Sequence, residues 1–196
     1  MTAVLEWQPR IRCCQGRQYG VGMPYFTFEG KSPDVHSEAW VAPTATLVGD
    51  VVVEKGASIW YGAVLRADFG RILVREGANI QDNSVVHLDE GTCEIGRNVT
   101  VGHQCLVHDC TIGEQALIGN GAIVLDKATI GNRALIAAGS TVTPHSEVPD
   151  ETMAMGSPAK KHVPLSDSAR TIVDHNAEVY QDLARRHAAS VEQVEQ

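Results

Sequence analysis

Ile112, Ile118, Val124, Ile130, Ile136 and Val142 recur at a strict interval of six residues. That period matches neither the turn of an α-helix nor the alternation of strands joined by hairpins. It matches a parallel β-helix, in which each hexapeptide makes one short side of a coil before the chain turns. β-Branched residues then stack inward as a continuous core. Small residues follow where the chain bends, as in Ile112-Gly113, Ile118-Gly119 and Ile130-Gly131. The same interval links Val41, Leu47, Val53, Ile59 and Leu65, then Val74, Ile80 and Val86, then Ile95, Val101 and Val107. A β-sandwich would instead carry turn signals every 8–12 residues or so. Three hexads close one coil, so residues one coil apart stack at about 4.8 Å.

The interruptions predict where the prism departs from regularity. Leu65 to Val74 and Val86 to Ile95 are nine-residue steps, which predict three-residue loops around Asp68-Phe69-Gly70 and Asp89-Glu90-Gly91. The repeat domain is expected over 23–160. Proline-bearing connectors, TPHSEVPD and MGSPAKKHVP, follow Val142. Residues 161–196 are expected to hold a helix over about 166–190 and a short tail. Ser166 or Ser168 is the N-cap, and Ile172, Val179 and Leu183 form an apolar stripe. Such a helix is marginal alone and is expected to pack along the β-helix. Residues 1–22 read as an added, disordered arm, with Met23 in MPYFTFEG as an alternative start.

Charge narrows the partners. Sixteen Lys and Arg against 24 Asp and Glu give −8, which argues against nucleic acid or an anionic membrane. No apolar run approaches the roughly 20 residues needed to span a bilayer, and the start lacks the pattern of a secretory signal. The five cysteines are odd in number and without CxxC spacing. A disulfide framework is therefore not expected, and a reducing cytoplasmic location fits.

Three histidines fall into a relation. Leu65, Val86 and Val107 share one side of successive coils, so Arg66, His87 and His108, which follow them, form one outward column. Two imidazoles stacked this way can hold one metal ion. His103 belongs to another side, with Asp82 at the equivalent position one coil earlier. A cyclic homotrimer would bring His103 of one subunit against His87 and His108 of the next, and Asp82 near Arg66. Three imidazoles with an open fourth position are the pattern of a catalytic zinc site. His36, His145, His162, His175 and His187 show no such relation and are expected at the surface.

LRADFGRI (65–72), ANIQDNSVVH (78–87), VGHQCLVHDCTIG (101–113) and GSPAK (156–160) together resemble the gamma-class carbonic anhydrases over roughly 23–185. The resemblance implies a left-handed β-helix trimer with Zn²⁺, Fe²⁺ or Co²⁺ at each subunit interface. It implies His87, His103 and His108 as ligands, and Arg66, Asp68 and Asp82 as residues that assemble the trimer and orient the site. It places Gln81 against the metal's water, Asn79 behind Gln81, and Tyr180 over the metal. The implied reaction is reversible hydration of CO₂ to bicarbonate, with a metal-bound water whose pKa falls from about 15.7 to near 7. The sequence departs from the family prototype at the proton shuttle. Phe69 stands where the prototype has glutamate, and only LDEGTCE follows His87, leaving Asp89 or Glu90 for that role. Three other readings share the fold: a hexapeptide acyltransferase, a metal-dependent acyl-CoA thioesterase, and a non-catalytic trimeric scaffold.

Overall fold

The computed structural model describes residues 25–194. The proposed arm at 1–22, the Met23 start, Cys13 and Cys14 lie outside the described residues. The chain winds through about seven turns of a left-handed parallel β-helix and ends in one α-helix.

The hexads form three inward columns. On the first face Leu47, Leu65, Val86, Val107, Val124 and Val142 are in register. The second stacks Val53, Val74, Ile95, Ile112, Ile130 and Val148. The third stacks Val41, Ile59, Ile80, Val101, Ile118 and Ile136, and ends on Ala154. All are buried. Each aliphatic side chain packs against the ones above and below it, so the core is a stack of thin layers. Ile118 is fully buried in such a layer. Ile118→Ala is expected to cost about 2–5 kcal/mol, read as a lowered midpoint in denaturant unfolding.

Two sequence expectations need correction. The segment around Asp68-Phe69-Gly70 is not a loop, because the strand Val64–Val74 runs unbroken round the corner. The extra residues form a bulge where the register shifts, and pairing resumes with Gly70 opposite Gly91. A Cβ on Gly70 would lie 2.3 Å from the Gly91 carbonyl oxygen, so this close approach needs glycine. The strand Gly91–Ile95 follows a short bend at Asp89 and Glu90.

The second correction concerns the helix, α1, Asp167–Ser190. Ser166 caps it, its Oγ accepting from the Ala169 N–H at 3.2 Å. The buried stripe is Ala169, Val173, Ala177 and Ala184, whereas Ile172 and Val179 are exposed. The helix lies close over the third face, above the small outward residues Ser58, Asn79 and Thr100, and that approach favours alanines. Asn176 Nδ2 donates to Thr100 Oγ1 (3.0 Å), and Gln181 Nε2 donates to the Gly77 carbonyl (3.1 Å). The strand Lys161–Pro164, which the hexad pattern does not signal, returns antiparallel to Thr152–Met155 before the helix begins.

The first face differs from the third in what it shows outward. Val64, Val85, Leu106 and Ile123 stack in register on its outer side, and Val85 is 37% exposed. This aliphatic ridge runs beside the Arg66–His87–His108 column. Among the described residues no helix is long and apolar enough to cross a membrane.

Candidate metal centre

Arg66, His87 and His108 are register neighbours on three successive coils. Arg66 forms an ion pair with Asp68 of its own strand. His108 Nδ1 lies 2.9 Å from Asp126 Oδ1. A carboxylate only accepts, so Nδ1 carries the proton, and a neutral His108 presents a lone pair at Nε2.

That lone pair sets a problem for His87, whose Nδ1 is 3.0 Å from His108 Nε2. On its other side His87 Nε2 is 3.5 Å from Asp68 Oδ1, and both of these atoms are buried without a hydrogen-bond partner. Neutral His87 has one N–H. On Nδ1 it satisfies His108 but sets a bare Nε2 against the carboxylate. On Nε2 it serves Asp68 but sets two imidazole lone pairs face to face. A cation held by the two facing nitrogens removes the conflict. With a cation, each ring gives it a lone pair and gives its N–H to a carboxylate. Tetrahedral zinc with ligands at about 2.0–2.1 Å separates neighbouring donors by roughly 3.3 Å, close to the spacing present. The donor set fits such an ion. Asp89 Oδ1 lies 3.9 Å from His108 Nε2, and one donor atom from each of His87, Asp89 and His108 falls within 4.8 Å of the others.

His103 sits elsewhere, on the turn between the third and first faces, directly above Asp82. Its Nδ1 is 2.9 Å from Asp82 Oδ2. Its Nε2 is 3.4 Å from the Tyr180 hydroxyl, which reaches it from α1. Burial, and after it the Asp82 charge, push the Tyr180 phenol up, so it remains a neutral donor near pH 7. With its N–H held by the Asp82 carboxylate, His103 accepts from the Tyr180 hydroxyl at Nε2, the lone pair that a cation would take in place of that contact. Among the described residues it does not join the donor group of its own chain. The sequence expectation of an Asp82–Arg66 contact concerns two subunits. Within the chain each has the partner named here.

Gln81 precedes that turn and is buried. Its orientation follows from a chain of donors. The Val99 carbonyl can only accept, so Asn79 presents its amide nitrogen there (3.4 Å) and to Thr100 Oγ1 (2.9 Å). Asn79 Oδ1 then accepts from Gln81 Nε2 at 3.1 Å, which turns Gln81 Oε1 away from Asn79. Through Thr100 and Asn176, α1 supports this network from behind.

Around the shuttle positions, Glu90 is paired with Lys127 at 3.1 Å, whereas Asp89 is 65% exposed at the edge of the imidazole pair. Phe69 is also 65% exposed, its ring 6.2 Å from that of His87. His187 is not an isolated surface residue. Its Nδ1 is 2.9 Å from the Tyr61 hydroxyl, and its ring packs edge-on to Trp40 and Trp60. Cys93, Cys105 and Cys110 are buried free thiols.

Sequence reasoning missed Asp126. The signal was present, because it lies eighteen residues after His108, one full coil.

A family model described as bacterial transferase hexapeptide (six repeats) matches residues 109–144. Gamma carbonic anhydrase 2, mitochondrial, of Arabidopsis thaliana is 41% identical over 176 residues, covering 84% of this chain and 63% of that protein. Carnitine operon protein CaiE of Escherichia coli (strain SMS-3-5 / SECEC) is 39% identical over 177 residues, 88% of this chain and 89% of that protein. A crystal structure of a hexapeptide transferase family protein from Anaplasma phagocytophilum superposes with a TM-score of 0.81 at 40% identity, covering 84% of this chain and 98% of that one. The chain thus spans less than two thirds of the plant relative and nearly the whole of the two bacterial ones.

Proposed function

We propose that this chain, which belongs to the gamma-class carbonic anhydrase family of hexapeptide-repeat proteins, hydrates CO₂ to bicarbonate and a proton at metal sites shared between the subunits of a homotrimer. The observation that carries this reading is the pair of facing imidazole nitrogens, 3.0 Å apart, each ring backed by a carboxylate. His87 and His108 of one subunit and His103 of the next would hold the ion. The aliphatic ridge Val64, Val85, Leu106 and Ile123 supplies the apolar surface that a subunit interface needs, and it lies beside the ligand column. A divalent cation held by these residues would supply Lewis acidity, with a water of near-neutral pKa and polarisation of the substrate oxygen.

The protein's own groups do the rest. Gln81 has an amide oriented by Asn79 and lies beside the His103 turn, so its Oε1 is the acceptor that aligns the attacking water. Tyr180 orients the His103 ring through Nε2 and would release that nitrogen to the ion. Arg66 fixes the Asp68 carboxylate that faces His87 Nε2 and would take its N–H once Nδ1 is engaged by the ion. The proton released must leave the pocket, and Asp89 is the better placed of the two acidic residues, since Lys127 engages Glu90.

A second reading draws on Phe69, an apolar group standing at the His87 edge. It suits an acyl substrate better than an outgoing proton, and so favours thioester hydrolysis by the same centre. Metal analysis of anaerobically purified protein, followed by stopped-flow CO₂ hydration and thioester assays on that sample, separates the two. Bound metal with CO₂ hydration supports the first reading. Thioester turnover without hydration supports the second, and protein isolated without metal that takes up none on reconstitution overturns both.

A further inference from the structure

We propose that Asp126 is the positioning residue of the metal centre: from one coil above His108, its carboxylate fixes the ring's tautomer and tilt and so sets the affinity for the cation. The proposal rests on the metal reading given above. Its basis is the 2.9 Å contact from Asp126 Oδ1 to His108 Nδ1, which leaves Nε2 as the lone-pair atom facing His87. An isolated neutral imidazole favours the opposite tautomer, with the proton on Nε2, and that form offers the cation no lone pair where it is needed. A carboxylate behind Nδ1 reverses the preference and raises the basicity of the ligating nitrogen.

The turn carrying Asp126 is built to hold it still. The His145 N–H donates to the Asp126 carbonyl (2.9 Å), and the Lys127 N–H donates to the Asp109 carbonyl (2.6 Å). The Lys127 ammonium reaches Asp109 Oδ2 at 2.8 Å and Glu90 Oε1 at 3.1 Å. The adjacent cation is thus directed at the coil below and the 88–91 bend, leaving Asp126 Oδ1 to His108. The other two carboxylates are shared differently, since Asp68 also serves Arg66 and Asp82 sits on the turn beside Tyr180. Of the two carboxylates behind the facing rings, Asp126 is at hydrogen-bond distance from His108 Nδ1 (2.9 Å), whereas Asp68 Oδ1 is 3.5 Å from His87 Nε2.

The test compares full-length wild type with Asp126→Ala, Asp126→Asn and Lys127→Met. Nitrogen-15 NMR of the metal-free proteins reads the His108 tautomer, and competition against a chelator reads the Zn²⁺ affinity. Asp126→Ala is expected to shift His108 to the Nε2–H form and to weaken Zn²⁺ binding by roughly 10–100-fold. Asp126→Asn, whose carbonyl can still accept from Nδ1–H, should recover most of that loss. Lys127→Met, which perturbs the same turn without touching the ring, should stay within about threefold of wild type, because Lys127 is not an outer-shell partner of His108. Asp126→Ser replaces the alanine variant should the latter fail to fold. An unchanged tautomer in Asp126→Ala overturns the proposal. So does Zn²⁺ affinity within threefold of wild type, or an equal loss in Lys127→Met. A wild type that binds no Zn²⁺ ends the hydratase reading, while the tautomer comparison still decides the role of Asp126.

Discussion

His108→Ala is expected to leave the protein without tightly bound metal while the coil remains folded. His108 is the ring on which the centre converges. Its Nε2 faces His87 Nδ1 at 3.0 Å, its Nδ1 is held by Asp126, and Asp89 approaches from the side at 3.9 Å. Apparent binding free energies of about 10–16 kcal/mol for four-ligand zinc sites correspond to roughly 3 kcal/mol per ligand, or at least a hundredfold in affinity. Loss of the ring also leaves Asp126 and His87 without their partner. Stability should fall only modestly, because the ring lies outside the inward columns and the Val107 stack below it is untouched. Metal content per chain after dialysis, read beside a melting curve, checks both parts. Full metal occupancy in the variant would remove His108 from the ligand set.

Val85→Lys is expected to dissociate the trimer and, with it, abolish metal-dependent activity. Val85 is central in the outward ridge, between Val64 and Leu106, and the most exposed of that group. An ammonium buried in an apolar interface without a partner costs several kcal/mol, and each 1.4 kcal/mol is about tenfold in dissociation constant. In a three-fold ring the substitution occurs at every interface, so the effect is repeated. The fold of the single chain should survive, because the side chain points away from the core. Sedimentation velocity distinguishes the outcomes, and a variant that remains wholly trimeric at micromolar concentration would show that the ridge is not the interface.

The core was legible because its determinant is one-dimensional. An aliphatic residue every sixth position specifies an inward column whatever occupies the positions between, and all three columns follow from it. Where the pattern stops, the reading weakened for physical reasons. Three residues added to a hexad read as a loop, yet around Asp68 they stay extended as a bulge between paired stretches, since pairing resumes with Gly70 opposite Gly91 on one side and Ile72 opposite Val51 on the other. Side-chain size points to Ile172, Val179 and Leu183 as the helix stripe, whereas the third face demands close approach and selects Val173 and the alanines, leaving Leu183 half-buried. The hand of the coil comes from the family resemblance, since spacing is blind to handedness.

The candidate site divides in the same way. The stacking of Arg66, His87 and His108 follows from the coil step alone, and so does that of Asp82 and His103. Asp126 escaped notice because Asn and Asp recur at the corners of the prism, where residues such as Asn83, Asn98 and Asp109 adopt positive φ. An acid at a corner reads as a turn residue, and only the direction of its side chain shows that it faces an imidazole. His187 was set aside because its partners, Tyr61, Trp40 and Trp60, lie more than a hundred residues earlier and meet it only once α1 folds back.

The central claim is that no single chain completes the centre. Co-refolding equal amounts of His103→Ala and His87→Ala chains tests it directly. Neither homotrimer has a full ligand set. In a random mixture an interface is whole only when the chain with intact His87 and His108 meets a neighbour with intact His103. That happens at about one interface in four for a cyclic trimer. Recovery of about a quarter of the wild-type tight metal sites and CO₂ hydration is expected. Mixed trimers verified by native mass that regain neither would contradict it.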